Sequence, residues 1–294
     1  MTDQEILAHI ELIRSLSTKG CALHDLAPTA TIHNPKWFGS DGIIEKDRST
    51  LHAKLLNAQP SCAKVSCEAI LLAGPPGAGK STLVQQLLGE KYESYQVIDP
   101  DIFKPLLLQE ALSDGSYETF IKPAEIKKLE AKGHSFYPME LASLVHQESS
   151  IIAQRQRSIA IRAGRNIIID TVLAYSEFAK RLVKILENNN YHIRLVDVEA
   201  AYDVAFGRMT NRCVQAYRET LETSDGLGGR WVPSEFVRSI YQADGKSVSE
   251  CIAKEVAKTS PAVLRYQVFR TPQIDAEPIL ELDRSRKEPG GVLI

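Results

Sequence analysis

The sequence predicts an α/β fold, a three-layer sandwich with a mainly parallel sheet and a helical N-terminal extension. Short apolar segments that have the character of buried strands alternate with longer segments whose apolar residues recur at helical spacing. Such alternation favours parallel strands joined by right-handed crossovers. The strand-like segments are 69–73, 97–98, 166–171 and 192–198.

The N-terminal part of the chain is predicted to be mostly helical. Residues 2–16 begin with a capping box and carry a stripe of isoleucines, and residues 49–58 again have helical character. We expect residues 1–62 to form an extension that packs on the main domain at 63–283, with 284–294 as a flexible tail that is charged and contains glycine and proline.

A glycine-rich loop follows the first strand and opens a helix, which is the context that a phosphate-binding loop requires. Its glycines let backbone N–H groups surround a phosphate, and the helix N-terminus adds partial positive charge. Lys80 is suited to the β- and γ-phosphates of a nucleoside triphosphate, and the Ser81 hydroxyl is suited to Mg²⁺. The fold is therefore predicted to be that of a P-loop NTPase. The predicted nucleotide-binding residues are Gly74, Pro75, Pro76, Gly77, Ala78, Gly79, Lys80, Ser81 and Thr82.

Carboxylates follow two of the predicted strands, at the sheet edge where α/β proteins hold ligands. Asp99 and Asp101 come directly after residues 97–98, and Asp170 ends the strand at 166–171. In a kinase, one carboxylate of the Asp-x-Asp pair supports Mg²⁺ or its waters and the other accepts the proton of the attacking hydroxyl. Asp170 occupies the Walker-B position and is predicted to support Mg²⁺ together with Ser81.

The remaining segments complete the predicted alternation of strands and helices. Residues 105–135 lack strand character, and the last strands can form a hairpin. Helices are predicted over 124–132, 137–163 and 176–186 and from residue 234, with late strands over 266–269 and 278–282.

Arginines are frequent after the strand at 192–198. Arg208 and Arg218 are interpreted as residues of a helix surface, whereas Arg230 follows three glycines and is predicted to lie on a mobile loop. A loop that carries a cation can close on a transferring phosphoryl group and neutralise its developing charge.

Composition restricts the class of protein. The formal net charge of -2 gives no global attraction to nucleic acid or an anionic membrane. The first residues are polar and acidic, so we expect no signal peptide there. No apolar segment of the sequence approaches membrane-spanning length, and the five cysteines contain no C-x-x-C pair. We expect a cytoplasmic protein with reduced thiols, and nucleic acid is an unfavoured partner.

These motifs resemble the zeta-toxin family of P-loop kinases over about residues 69–269. The segments that carry the resemblance are 74–81, 97–104, 146–150, 167–171 and 229–233, together with Arg212. Members of this toxin–antitoxin family use ATP to phosphorylate UDP-N-acetylglucosamine or related UDP-amino sugars. The resemblance implies ATP and Mg²⁺ as cofactors, a nucleotide sugar as substrate and an inhibitory protein, of the antitoxin kind, as a further partner.

The resemblance also implies roles for individual residues. Lys80 would bind the phosphates, Asp101 would be the catalytic base, and Arg212 and Arg230 would clamp the γ-phosphate. The substrate-binding residues would be Asp99, Asp101, Glu148, Asp170 and Thr171.

Other functions remain open at this point. The same motifs suit a kinase of another small molecule, and an NTP-hydrolysing switch could act through a protein bound to the N-terminal extension. A polynucleotide kinase is less favoured because no basic stripe with interleaved aromatic residues is present.

Overall fold

The computed structural model describes residues 2–39, 42–59, 61–223 and 226–294. The predicted extension therefore includes four positions outside the described residues (Met1, Ser40, Asp41 and Pro60), and the predicted main domain includes two (Ser224 and Asp225). Helices in the described part are α1 Asp3–Leu16, α2 Lys46–Asn57, α3 Lys80–Leu88, α4 Phe103–Asp114, α5 Ala124–Glu130, α6 His146–Arg162, α7 Ser176–Asn188, α8 Tyr202–Thr223, α9 Ser234–Ser239 and α10 Val248–Thr259. The strands are β1 Glu68–Ala73, β2 Gln96–Ile98, β3 Ile167–Ile169, β4 His192–Ala200, β5 Val263–Thr271 and β6 Ile279–Ser285.

The chain divides into two compact units, each of which is assembled from separate stretches of sequence. The first unit contains Met1–Pro60, Pro100–Gln154 and Met209–Glu235. The second unit contains Ser61–Asp99, Arg155–Arg208 and Phe236–Ile294.

The second unit contains a six-stranded sheet in the order β2-β3-β1-β4-β5-β6. All neighbouring strands are parallel except β5 and β6, which form an antiparallel pair. The predicted α/β fold with a mainly parallel sheet is thus confirmed, and the last two strands pair as the sequence suggested. The central strand β1 is buried at every position after Glu68, as expected for a parallel strand covered on both faces.

The core of the second unit brings the β1–β4 pair against the helix that follows the glycine-rich loop. Ile70 and Leu72 of β1 pack with Val196 and Val198 of β4 and with Leu83 of α3, and all five side chains are buried. Residues one strand position out of phase with Val196 and Val198 point to the other side of the sheet. This packing fixes the start of α3, and so the loop before it, to the carboxyl end of β1.

A pair of acidic residues is buried on that other side of β4. Asp197 and Glu199 are no more than 1% exposed, and Glu199 accepts a hydrogen bond of 2.8 Å from the Ser247 hydroxyl. Burial first, and then the neighbouring Asp197 carboxylate, raises the pKa of Glu199 well above its usual range. At least one of the two groups therefore retains its proton at neutral pH.

The first unit is helical and incorporates the N-terminal helices. The predicted capping box of α1 is present, with the Glu5 N–H donating to the Thr2 hydroxyl at 3.3 Å. From the same helix, the imidazole of His9 bonds the buried Glu140 carboxylate at 2.7 Å and stacks on the ring of Tyr217. The helix α1 is thus tied to two later parts of the same unit.

Two boundaries differ from the sequence-based expectation. The helix predicted over 137–163 is a 3-10 segment, Pro138–Val145, followed by α6 from His146. Glu140 in that segment bonds the backbone N–H of Tyr137 at 2.7 Å as well as His9, so a buried tertiary contact accompanies the tighter turn. The predicted tail begins inside β6, and Ser285 and Ile294 exchange backbone hydrogen bonds of 2.9 and 3.1 Å.

Among the residues that the structure describes, no helix combines the length and the apolar character needed to cross a membrane.

Candidate active site

The phosphate-binding loop lies between β1 and α3 in the second unit, as the motif predicts. Gly79 precedes α3 with φ of 100°, a left-handed conformation that glycine adopts without strain. The Lys80 side chain is 9% exposed, and its Nζ donates to the carbonyl oxygens of Gly74 and Pro75 at 2.9 and 3.1 Å. The Lys80 side chain thus folds back over the loop, close to where it is suited to bind the phosphates of a nucleotide.

The predicted metal-binding residues meet in the same unit. The Ser81 hydroxyl donates to Asp170 Oδ2 at 3.0 Å, and Lys80 Nζ lies 4.0 Å from Asp170 Oδ1. A serine hydroxyl beside one carboxylate fits Mg²⁺, which keeps several waters and takes its other oxygens from phosphates. Within the described residues no group of three or more His, Cys, Asp or Glu side chains could hold a metal ion.

Two further predicted residues lie at the carboxyl edge of this sheet. Asp99 directly follows β2, and Asp170 follows β3 at the aligned position, with its N–H donating to the Ile98 carbonyl at 3.0 Å. The Thr171 hydroxyl accepts a hydrogen bond of 3.0 Å from the Leu173 N–H, so its position is set by the turn that it caps.

The proposed catalytic base, Asp101, lies in the first unit and is surrounded by cations of that unit. Its Oδ1 is 2.7 Å from Lys104 Nζ and its Oδ2 is 2.6 Å from Arg230 Nη1, while 37% of the side chain stays exposed. Burial acts to raise the pKa of Asp101, but Arg230, Lys104 and Arg212 outweigh it and hold the pKa below its usual range. The carboxylate is therefore ionised at neutral pH, as a proton acceptor must be.

Two neighbours of Asp101 were not singled out as site residues by the sequence. Lys104 lies one helical turn after Asp101, and its side chain is only 6% exposed. The i, i+3 spacing to Asp101 is the sequence signal that could have identified Lys104 as a site residue. His146 is the second: burial and then Lys104 lower the pKa of His146 to about 4. Its imidazole is consequently neutral at physiological pH.

The segment that carries Arg230 packs closely on the same unit, in contrast to the predicted mobile loop. A β-carbon at Gly229 would lie 2.2 Å from the Cys213 carbonyl oxygen, and the Gly228 N–H donates to the Thr220 hydroxyl at 3.1 Å. The next side chain, Trp231, is 5% exposed. Glycine here permits a close approach to α8, and this approach fixes Arg230 where it reaches Asp101.

Glu148, a predicted substrate-binding residue, has both carboxylate oxygens engaged by the N-terminal segment. Arg48 donates from Nε to Oε1 at 2.5 Å and from Nη2 to Oε2 at 2.7 Å, and His52 Nε2 lies 2.7 Å from Oε1. Burial acts to raise the pKa of Glu148, but these two partners lower it to a net value below its usual range. Arg48 also stacks 3.9 Å above the ring centroid of Trp37.

Comparison with known proteins supports the assignment suggested by these motifs. The family model described as Zeta toxin matches residues 53–265. The calmodulin calcium-dependent NAD kinase of Arabidopsis thaliana is 27% identical over 146 residues. That match includes 45% of this chain, and the chain spans about a quarter of the relative's length, 24%.

Solved structures with the same fold include a protein complex and a chain from a toxin–antitoxin system, both at low sequence identity. A chain of the AvrRxo1-ORF1:AvrRxo1-ORF2 complex with ATP superposes with a TM-score of 0.55 at 17% identity, covering 83% of this chain and 69% of that chain. A chain from the PezAT chromosomal toxin–antitoxin system of Streptococcus pneumoniae gives a TM-score of 0.51 at 16% identity, covering 82% and 81%. The family match includes most of this chain, and the protein therefore belongs to the zeta-toxin family of P-loop kinases.

Proposed function

We propose that this protein is an ATP-dependent kinase that phosphorylates a sugar hydroxyl of a small molecule containing a nucleotide. The observation that carries the proposal is the position of Asp101, an ionised carboxylate held by Arg230 and Lys104. A carboxylate next to arginine is the combination that hydroxyl activation and phosphoryl transfer both use.

In this proposal the second unit binds the nucleotide. Backbone N–H groups of the loop 74–82 surround the phosphates, and Lys80 exchanges its carbonyl partners for phosphate oxygens. Ser81 and Asp170 would hold Mg²⁺, which when bound neutralises charge on the phosphates. ATP in the structure of a protein with this fold supports the choice of ATP.

The first unit supplies the groups that act on the acceptor and the transferred phosphoryl group. Asp101 accepts the proton of the acceptor hydroxyl, while Arg230 and Arg212 neutralise charge that develops in transfer. Lys104 lowers the pKa of Asp101. Asp101 therefore stays ionised when Arg230 leaves it to contact the phosphoryl group. In-line transfer asks for little covalent chemistry from the protein, so positioning and charge dominate.

The acceptor that we propose first is a UDP-amino sugar such as UDP-N-acetylglucosamine, as the resemblance to the family implies. Asp99, Asp170 and Thr171, at the carboxyl edge of the sheet, stay our proposed substrate-binding residues. For Glu148 we propose a supporting role, because Arg48 and His52 already engage both of its oxygens.

A second candidate acceptor is NAD. The observation that favours it is the 27% identity to a plant NAD kinase over 146 residues. NAD and UDP-amino sugars share a nucleoside diphosphate linked to a sugar with free hydroxyls, so one catalytic arrangement could serve either acceptor.

We also propose an inhibitory protein partner of the antitoxin kind and a cytoplasmic location. The partner is supported by two proteins of similar fold, one solved in the AvrRxo1-ORF1:-ORF2 complex and one from the PezAT toxin–antitoxin system.

The test is acceptor-dependent phosphorylation of a defined panel. Purified protein is incubated with MgATP and UDP-N-acetylglucosamine, NAD, free sugars or an oligonucleotide, and mass spectrometry detects one added phosphate. Asp101→Asn should abolish the product, and Glu110→Gln, which alters an exposed ion pair with Lys54, should not. Phosphorylated UDP-sugar supports the first acceptor and phosphorylated NAD the second. ATP hydrolysis without any labelled acceptor would overturn the proposal in favour of a nucleotide-dependent switch.

A further inference from the structure

A part of the N-terminal extension is bound to the segment of chain that leads into α6, and both belong to the first unit. The Ser143 hydroxyl donates to the Leu23 carbonyl oxygen at 2.5 Å, and Gln147 Nε2 donates to Asp25 Oδ2 at 2.9 Å. Leu23 is fully buried, whereas 27% of the Asp25 side chain is exposed. Packing of the extension therefore holds the Asp25 carboxylate at a fixed place on this unit and leaves it accessible.

This place is close to the proposed catalytic base. The helix α4 begins two residues after Asp101 and packs against the 3-10 segment Pro138–Val145 that precedes His146. Burial and then Lys104 lower the pKa of His146, whereas Asp101 and Asp25 each act to raise it. Because water and salt screen charges over distance, both carboxylates must lie near this imidazole. The extension thus brings an accessible carboxylate to the neighbourhood of Asp101.

One oxygen of Asp25 keeps its capacity for hydrogen bonds. His24 Nδ1 lies 3.2 Å from Asp25 Oδ1, but this nitrogen accepts a hydrogen bond of 3.2 Å from the Leu26 N–H and so has no proton to donate. Among the residues that the structure describes, the single hydrogen bond to the Asp25 side chain is the one from Gln147 to Oδ2. Since a carboxylate offers about four lone-pair sites, Asp25 can still accept hydrogen bonds from the hydroxyl groups of a ligand.

We propose that Asp25 is a specificity-determining residue that accepts a hydrogen bond from a hydroxyl of the acceptor sugar other than the one that Asp101 activates. The inference rests on the proposed function, because it needs a sugar hydroxyl at Asp101. A carboxylate binds hydroxyl donors and repels phosphate, so Asp25 suits the sugar part of the acceptor and not its diphosphate. Asp25 lies outside residues 53–265, which the family model matches, so this contact belongs to the extension of this chain and not to the matched domain.

The experiment compares wild type with Asp25→Asn in steady-state assays. The substrates are MgATP and the acceptor of the panel that wild type phosphorylates, UDP-N-acetylglucosamine or NAD. Asparagine keeps the shape of the side chain and an oxygen for Gln147 but loses the charge. Loss of a hydrogen bond to a charged group predicts a KM for the acceptor about tenfold higher, with the KM for ATP unchanged.

Analogues of the acceptor that each lack one sugar hydroxyl identify the contact directly. With the analogue that lacks the contacted hydroxyl, kcat/KM of wild type should fall about tenfold, and the difference between wild type and Asp25→Asn should disappear. A role of Asp25 in folding alone would lower kcat/KM by the same factor with every analogue.

Asp3→Asn is the matched control, because it changes another aspartate of the extension, one that forms an exposed ion pair with Arg218. It should leave both KM values unchanged. Two results would overturn the inference and leave the kinase intact: an unchanged KM for the acceptor in Asp25→Asn, or an equal loss with every analogue. If wild type phosphorylates no acceptor of the panel, the proposed function fails, and the inference that depends on it fails as well.

Discussion

Replacing Glu148 by glutamine separates a role in stability from a role in substrate binding. The glutamine has the same shape but loses the negative charge that faces Arg48 and His52. The side chains of Arg48, His52 and Glu148 are 3%, 0% and 0% exposed, so water cannot replace the lost interaction.

The magnitude follows from this burial. Removing one member of a buried ion pair leaves its partner charged in a low-dielectric interior, which costs about 3–5 kcal/mol. Glutamine retains one oxygen that can accept from Arg48, so we expect a loss near the lower limit, about 3 kcal/mol of unfolding free energy.

Urea denaturation at neutral pH measures this loss, with Glu110→Gln as the matched control. Glu110 of α4 pairs with Lys54, which lies on α2 as Arg48 and His52 do. The side chains of Glu110 and Lys54 are 32% and 64% exposed, so the control should lose less than about 1 kcal/mol of unfolding free energy. The reasoning would be refuted if Glu148→Gln lost less than about 1 kcal/mol of unfolding free energy and also had a higher KM for the acceptor. Glu148 would then be a substrate-binding residue.

The pH dependence provides an independent check. The folded protein holds the pKa of Glu148 below its ordinary value of 4.5, so its stabilisation is present above pH 4.5 and is lost as pH falls through the folded pKa. The difference in stability between wild type and Glu148→Gln should therefore shrink as pH is lowered below 4.5.

Three further predictions concern other groups. Lys104→Met removes a cation that lowers the pKa of Asp101, so the acidic limb of the kcat–pH profile should move to higher pH; an unchanged profile would show that Lys104 has no such effect. Arg230→Ala should lower kcat by about 10²–10³-fold in steady-state assays, as loss of one electrostatic donor does, and a smaller effect would remove Arg230 from the transition state. Burial and Asp197 raise the pKa of Glu199, so wild type should lose stability as pH rises above the ordinary value of 4.5. Glu199→Gln should flatten that loss in urea titrations at several pH values, and an equal slope in both proteins would contradict the raised pKa.

The second unit was largely predictable because its signals are local. An apolar segment, a glycine loop and helical spacing lie consecutively between residues 68 and 88, and β1 and α3 form where the motif predicts. The Ser81–Asp170 contact also follows from sequence, since the carboxyl ends of parallel strands share one edge of the sheet.

The first unit was less predictable because its contacts join distant parts of the sequence. The Arg48–Glu148 pair spans 100 residues and the His9–Glu140 pair 131, and no local pattern reports which acidic residue a buried histidine or arginine will meet. The glycines before Arg230 show the same limit. Glycine signals either mobility or close approach, and only the position of the Cys213 carbonyl distinguishes the two.

The N-terminal helices restrict how this protein could exchange parts with its relatives during evolution. The family match begins at residue 53, inside α2, yet the partners of Glu140 and Glu148 include His9, Arg48 and His52. Recombination or proteolytic trimming at that boundary would leave the carboxylates of Glu140 and Glu148, which are 2% and 0% exposed, without these partners. We expect the first sixty or so residues to be inherited together with the segment around 137–148 as one matched set.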